Sequence, residues 1–335
     1  VALATSAEVL PRLREAAGHV VLVVGDVVLD RYVIGRAQRL SREAPVPVLV
    51  HESSFAVPGA AANPALNVRA LGSRALQVAL VGDDQPGNEL LDLLHRAGVE
   101  TEGVVRATGR QTTVKQRFLA RGSLSFPQQL ARVDYLDPEP IAEALQRQIA
   151  AQVSSQSLQA DALLLSDYQG GVIGEAVLNA CLEARRLHGL PLCVDAQTDL
   201  WRFRGASLVK CNQAEASRAL GRRLATEVDF AVATAEIRSR LEVDVVAITR
   251  GAEGMTLCAE AGGCLHLPAP NRSEVFDVVG AGDTVIAIMA LGWAAGWPHP
   301  LAATVAQLGS GVVIQRLGNA TPTYPELEEA ARRWL

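Results

Sequence analysis

The chain of 335 residues is poor in aromatic side chains, only 4% of the total, so its core has to be packed from Ala, Val and Leu. Lysine is almost missing: Lys115 and Lys210 are the only two among 31 basic residues. With a formal net charge of −5, the chain lacks the basic surplus that draws nucleic acid or an anionic membrane, although a local basic pocket stays open. Five cysteines (Cys181, Cys193, Cys211, Cys258, Cys264) form no C-x-x-C pair and have no histidine at zinc spacing. Reduced, mostly buried thiols are therefore expected, with no redox or metal role. The longest apolar run, 285–297, is too short to cross a bilayer, and the opening VALATSAEVLPRLREAAG is mixed and charged, unlike a signal peptide. These absences predict a soluble, cytoplasmic protein. No internal repeat or low-complexity linker divides the chain.

What is present is a rhythm of short β-branched runs and helical stretches. HVVLVVGDVVLD (19–30) reads as a central parallel strand buried on both faces. Similar runs follow at 75–82, 160–167, 190–196, 206–212 and 243–251. Between them lie ANPALNVRALG, GNELLDLLHRAG, GEAVLNACLEARRLHG and DFAVATAEIRSRLE, several of which end in the Gly that a helix C-terminus prefers. The alternation predicts an α/β body with a mostly parallel sheet. Two segments break it: 44–57 and 111–122 alternate as strands without crossover helices, and VDYLD (133–137) adds to them. They predict a small discontinuous β-sheet lid built from about 31–57 and 108–137. Ligands of open parallel sheets bind beyond the carboxyl ends of the strands, where the pattern puts Asp30, Asp167, Asp195, Asn212 and Arg250.

Near the end, FDVVGAGDTVIAIMALGWAAGW (276–297) opens a long apolar helix with two aspartates around a Gly-Ala-Gly turn. A helix start exposes unpaired N–H groups and the positive end of its dipole, and small residues let an anion reach them. Gly280, Ala281 and Gly282 thus read as a phosphate or oxyanion cradle with Asp283 beside it. A carboxylate next to a bound phosphate is costly unless it accepts a proton from an attacking hydroxyl. In phosphoryl transfer that proton can move late and positioning dominates. The bland alternative is an aspartate cap on a Gly-rich turn.

DVVGAGD resembles the second signature of the PfkB (ribokinase-like) carbohydrate kinases, and PGAAANPALNVRALG (58–72) resembles the first, in the correct order and more than 200 residues apart. The resemblance covers essentially the whole chain. It implies a ribokinase-like three-layer fold in one domain, an ATP γ-phosphate donor, Mg²⁺, a sugar-hydroxyl acceptor, and a lid that covers the sugar and often carries a homodimer contact. It implies Asp283 as base, with the 280–282 turn as anion hole. Asp30, Gly59 and Asn63 correspond to the sugar side. Asn212, Thr249, Gly251 and Gly254, from KCNQAE and TRGAEG, correspond to the nucleotide side. Glu215 corresponds to the Mg²⁺ shell through water, and Asp277 to the anion hole or a monovalent-cation site.

Within the family, GDVVLDRY, SREAPVPVL, LLSDYQGG and VVGAGDTVIA are most similar to the kinase domain of bacterial enzymes acting on D-glycero-β-D-manno-heptose 7-phosphate. The nucleotidylyltransferase of their bifunctional members is expected to lie outside this sequence. Several positions depart from that group. Ala60 replaces the second glycine of the first signature, Gly170 and Gln197 stand where lysines are usual, Gln307 replaces an asparagine, and GSLSFP (122–127) enlarges a lid hairpin. The lost lysines remove charge from a site expected to hold several phosphates. Lys115 and Arg117, alternating onto one face of a lid strand, are candidates to bind a substrate phosphate, or else solvated edge charges. Two other readings stay open: a kinase of fructose, ribose or a nucleoside, and a non-catalytic sugar-binding homologue. The scarcity of aromatics weighs against a stacked nucleoside base.

Overall fold

The computed structural model describes residues 4–121, 127–197, 199–260, 263–271 and 277–335. Thirteen strands form two sheets among these residues: β1 (Val20–Gly25), β2 (Val27–Leu40), β3 (Pro47–Ala60), β4 (Arg74–Gly82), β5 (Glu100–Ala107), β6 (Val114–Arg121), β7 (Gln128–Tyr135), β8 (Ala162–Asp167), β9 (Leu192–Ala196), β10 (Leu208–Asn212), β11 (Val245–Thr249), β12 (Met255–Ala259) and β13 (Gly263–Leu267). The large sheet runs β13-β12-β11-β10-β9-β8-β1-β4-β5 and the small one β3-β2-β6-β7. The large sheet is parallel from β11 to β5, and β12 and β13 extend it as antiparallel strands.

The period of two along β1 divides the core. Val21 and Val23 pack with Ala65 and Val68 of helix Ala62–Ala70 and with Ile286 and Ala290 of helix Ala281–Ala294. Leu22 and Val24 pack on the other face with Val153, Cys181 and Ile237, from helices Glu143–Gln156, Glu175–His188 and Glu227–Leu241. Helices therefore cover both faces of the sheet, giving the three-layer α/β arrangement expected. Gly189 ends its helix at φ +68°, the left-handed geometry that a glycine favours there. Glu242 adopts φ +54° at the corresponding place after Leu241, without being glycine.

Two expectations are corrected. The run 19–30 is not one strand: it breaks at Asp26, and Asp30 lies inside β2 of the small sheet rather than at the end of a central strand. Continuous hydrophobicity hides the break because the first four residues of β2, Val27 to Asp30, are buried like the residues of β1 that precede them. The cysteines are not all free. In the β12/β13 hairpin Cys258 and Cys264 are opposite one another, 4.1 Å apart between Cα atoms, and are joined by a disulfide. Six residues of separation carry no framework signal, and only the antiparallel register brings the pair together. Cys181, Cys193 and Cys211 are buried thiols, as expected, and burial raises their pKa.

The small sheet is built from the two discontinuous segments read as a lid, with β2 bridging to β3 on one side and to β6 on the other. The GSLSFP insertion lies mostly outside the described residues. Among the described residues no helix is long and apolar enough to cross a membrane.

Candidate active site

The apolar helix begins at Gly280, whose φ of +79° turns the chain into its first residue, Ala281. Asp283 sits in that first turn and is only 4% exposed. Both of its oxygens are engaged: Oδ2 accepts from Asn63 Nδ2 at 2.9 Å and Oδ1 from the Tyr168 hydroxyl at 2.8 Å. Burial pushes its pKa up to about 6, and the nearby negative charge of Asp195 adds to this against the two hydrogen bonds and the Lys210 ammonium.

The smallness of the turn is required on two sides. A Cβ on Gly280 would lie 2.6 Å from Asn63 Nδ2, and one on Gly282 would lie 2.8 Å from Lys210 Nζ. Asn63 is itself fixed: Asn67 Nδ2 donates to its Oδ1 at 3.3 Å, and Thr284 donates to Asn67 Oδ1 at 2.9 Å. The two signature segments are thus tied through buried amides, which the sequence separation conceals.

On one side of Asp283 opens a cavity of about 740 Å³. Thr249, Gly251 and Gly254, Asn212 and Glu215, and the 280–283 turn all line it, whereas Asp277 does not. Gly251 (φ +55°) and Gly254 (φ +87°) hold left-handed or mirror-extended backbone after β11. Asn212 and Glu215 form a reciprocal helix cap: Asn212 Oδ1 accepts from Glu215 N at 2.9 Å, and Glu215 accepts from Asn212 N and Nδ2. Burial raises the Glu215 pKa. Gln307, Asn271 and Ser310 line the same cavity farther from Asp283, together with Val278 and Ile314.

On the other side lie the residues read as the sugar side. Asp30 accepts from Arg117 in a short ion pair and from Asn319 Nδ2 at 3.1 Å. A Cβ at Gly59 would stand 2.0 Å from Asp30 Oδ2, so glycine is needed for the carboxylate to lie there. Ala60 adopts φ +53°, the left-handed conformation that a glycine takes more easily. Arg117 also stacks toward Tyr32, 5.3 Å from the ring centroid, and so faces Asp30 rather than solvent. Lys115 has its Nζ 5.7 Å from the Tyr168 ring centroid, with no carboxylate partner in ion-pair distance among the described residues. The Asp277 carboxylate accepts from Val279 N at 3.0 Å and Gly318 N at 2.9 Å, tying the start of the turn to the 314–318 loop.

Sequence reasoning did not assign three of the groups found here, Lys210, Tyr168 and Asn319, and marked Asp195 only as a strand-end carboxylate. Lys210 Nζ lies 2.8 Å from both oxygens of Asp195, fully inside the protein. Burial alone would lower its pKa, but the negative charges of Asp195, Asp283 and Glu215 outweigh that and raise it. Tyr168 and Asn319 complete the set. A faint signal existed for Lys210: it is one of only two lysines in the chain, and the other, Lys115, lies by Tyr168 of the same site.

The fold is that of ribokinase-like kinases. An Arabidopsis thaliana ribokinase solved with ribose and ATP superposes with a TM-score of 0.72 at 19% identity, covering 94% of this chain and 99% of that one. Phosphofructokinase-2 of Escherichia coli, solved with potassium, gives a TM-score of 0.75 at 20% identity, over 94% and 98%. The chain belongs to the pfkB family of carbohydrate kinases, whose family model matches residues 19–327; it is a phosphotransferase with an alcohol group as acceptor. Among curated proteins it is similar to the bifunctional protein HldE of Pseudomonas aeruginosa UCBPP-PA14, 40% identical over 326 residues. HldE of Caulobacter vibrioides ATCC 19089 is 40% identical over 321 residues. The chain spans 65% and 64% of the length of these two relatives, while the matches cover 97% and 95% of the chain.

Proposed function

We propose that this chain is an ATP-dependent kinase of a sugar phosphate, with heptose 7-phosphate the first candidate acceptor, as the similarity to HldE suggests. The observation that carries the reading is the seat of Asp283, buried between the cavity of Lys210 and Glu215 and the cluster of Asp30, Gly59 and Asn319. A γ-phosphate laid on the 280–282 turn would meet helix N–H groups and the Lys210 ammonium. An acceptor hydroxyl oriented from the Asp30 side would meet Asp283, whose carboxylate takes its proton as the phosphoryl bond forms. Asn63 uses one of its two amide N–H groups to orient Asp283, leaving the other for the sugar; Asp30, held by Arg117 and Asn319, is the hydroxyl-facing carboxylate.

Among the described residues no group of three or more His, Cys, Asp or Glu side chains forms a metal cage. That fits Mg²⁺ arriving with ATP and keeping much of its water, with Glu215 reaching it through water. When bound it would neutralise charge on the transferring phosphoryl. Asp277, which ties the start of the turn to the 314–318 loop, is the candidate to sense a monovalent cation. Small-sheet closure over the sugar would exclude water as a competing acceptor. The sheet leaves Phe55, Val133 and Tyr135 43–44% exposed, and we propose it as the contact of a homodimer, checked by light scattering.

A neutral-sugar kinase is the second reading, favoured by Gly170 and Gln197 at the positions of the two missing lysines. The test is ADP release with ATP and Mg²⁺ across neutral sugars and sugar phosphates, heptose 7-phosphate included. Turnover of the sugar phosphate supports the first reading. Turnover of neutral sugars alone supports the second, and binding without turnover across the panel overturns the kinase assignment for both.

A further inference from the structure

The loop after β8 is folded onto Asp26, the residue at which the first strand breaks. Asp26 is buried and accepts three backbone N–H groups: from Tyr168 at 3.0 Å, Gly170 at 2.9 Å and Val172 at 2.9 Å. A Cβ at Gly170 would come within 2.6 Å of Asp26 Oδ1. This close approach accounts for a glycine where similar heptose kinases carry lysine: the loop is drawn in until no side chain fits without a shift. Gln169 completes the turn at φ +66° and donates to the Gln197 carbonyl at 2.8 Å. The glycine at 170 therefore serves the placement of one phenol, and the Gln197 backbone carbonyl holds the loop beside it.

That phenol is half-buried and donates to Asp283 Oδ1. We propose that Tyr168 is a positioning residue for phosphoryl transfer, anchored through Asp26 and Gln197 so that its hydroxyl fixes the plane of the Asp283 carboxylate. The inference rests on Asp283 being the base. With Oδ1 held by Tyr168 and Oδ2 by Asn63, the carboxylate cannot rotate, and its remaining lone pairs are left for the acceptor hydroxyl. The groups facing Asp283 are Asn63 from helix Ala62–Ala70, Tyr168 from the β8 loop, Asp195 from β9 and Lys210 from β10. Burial and Asp195 favour the protonated acid; Tyr168, Asn63 and Lys210 favour the ionised base. Removing the hydroxyl removes one of three opposing groups, so the base should titrate higher.

The experiment is a carboxyl-carbon NMR titration of aspartate-labelled protein without ligands, with the Asp283 resonance assigned by its loss in Asp283→Asn. In Tyr168→Phe the midpoint is expected to rise by about half a pH unit or more. The acid limb of kcat/KM should move up with it for whichever panel sugar is turned over, with about a twofold loss near pH 6 for a half-unit rise, recovered largely by pH 8. If the Phe variant fails to fold, 3-fluorotyrosine at 168 keeps the ring and donates more strongly, so the midpoint should fall. An unmoved midpoint, or an activity loss equal at every pH, overturns the positioning role. Retained turnover in Asp283→Asn would instead overturn the base assignment on which it rests.

Discussion

Replacing Asp283 by Asn should make the protein more stable and catalytically inert. The unfolded chain ionises this aspartate near 3.8, whereas burial and Asp195 push it up to about 6 in the fold. Above the folded value both states are charged and the folded one carries the full cost, about 3 kcal/mol for a difference of about two pH units. As pH falls from 6 toward 3.8 the folded carboxylate protonates first, so the cost shrinks to about 1 kcal/mol near pH 4.5 and vanishes below the unfolded value. Asn keeps the shape but must turn one amide face against either Asn63 or Tyr168, which returns about 1 kcal/mol of the gain. The net expectation is about 2 kcal/mol of added stability at pH 8 and little or none at pH 4.5. Urea unfolding of both proteins at the two pH values reads the difference directly. Activity should fall by about 10²–10⁴. A variant destabilised equally at both pH values would refute the claim that the charge is held at a cost.

The other predictions concern the two sides of the site. Gly59→Ala places a methyl against Asp30, so the KM for the acceptor should rise at least about tenfold while ATP binding is spared, read by steady-state kinetics and calorimetry. Lys115→Ala should raise the KM for a sugar phosphate by about 10- to 100-fold, from the loss of one charged contact, and leave a neutral sugar unchanged; an equal effect on both would remove Lys115 from phosphate binding. Lys210→Met strands Asp195 beside Asp283 and should destabilise the fold by about 3–5 kcal/mol in urea, with Asp195→Asn in the same chain restoring part of the loss.

Local pattern determined much of this protein. The short apolar runs within 75–82, 160–167, 190–196, 206–212 and 243–251 all became strands of the large sheet, because a strand buried on both faces must be apolar throughout. The Gly-Ala-Gly turn before an apolar helix was legible for a similar reason: close approach to backbone N–H groups leaves little choice of residue. Tertiary structure decided what spacing cannot encode. Asp26, not Asp30, ends the first strand, since an unbroken apolar run continues smoothly from one sheet into the other. Cys258 meets Cys264 only through hairpin register. Lys210, Tyr168 and Asn319 come from three separate segments, and each looks ordinary in its own neighbourhood, while Asp195 was marked only by its place at a strand end. Their significance lies in desolvation and in distances of about three ångströms between side chains far apart in the chain, and these exist only once the sheet has brought the strand ends together.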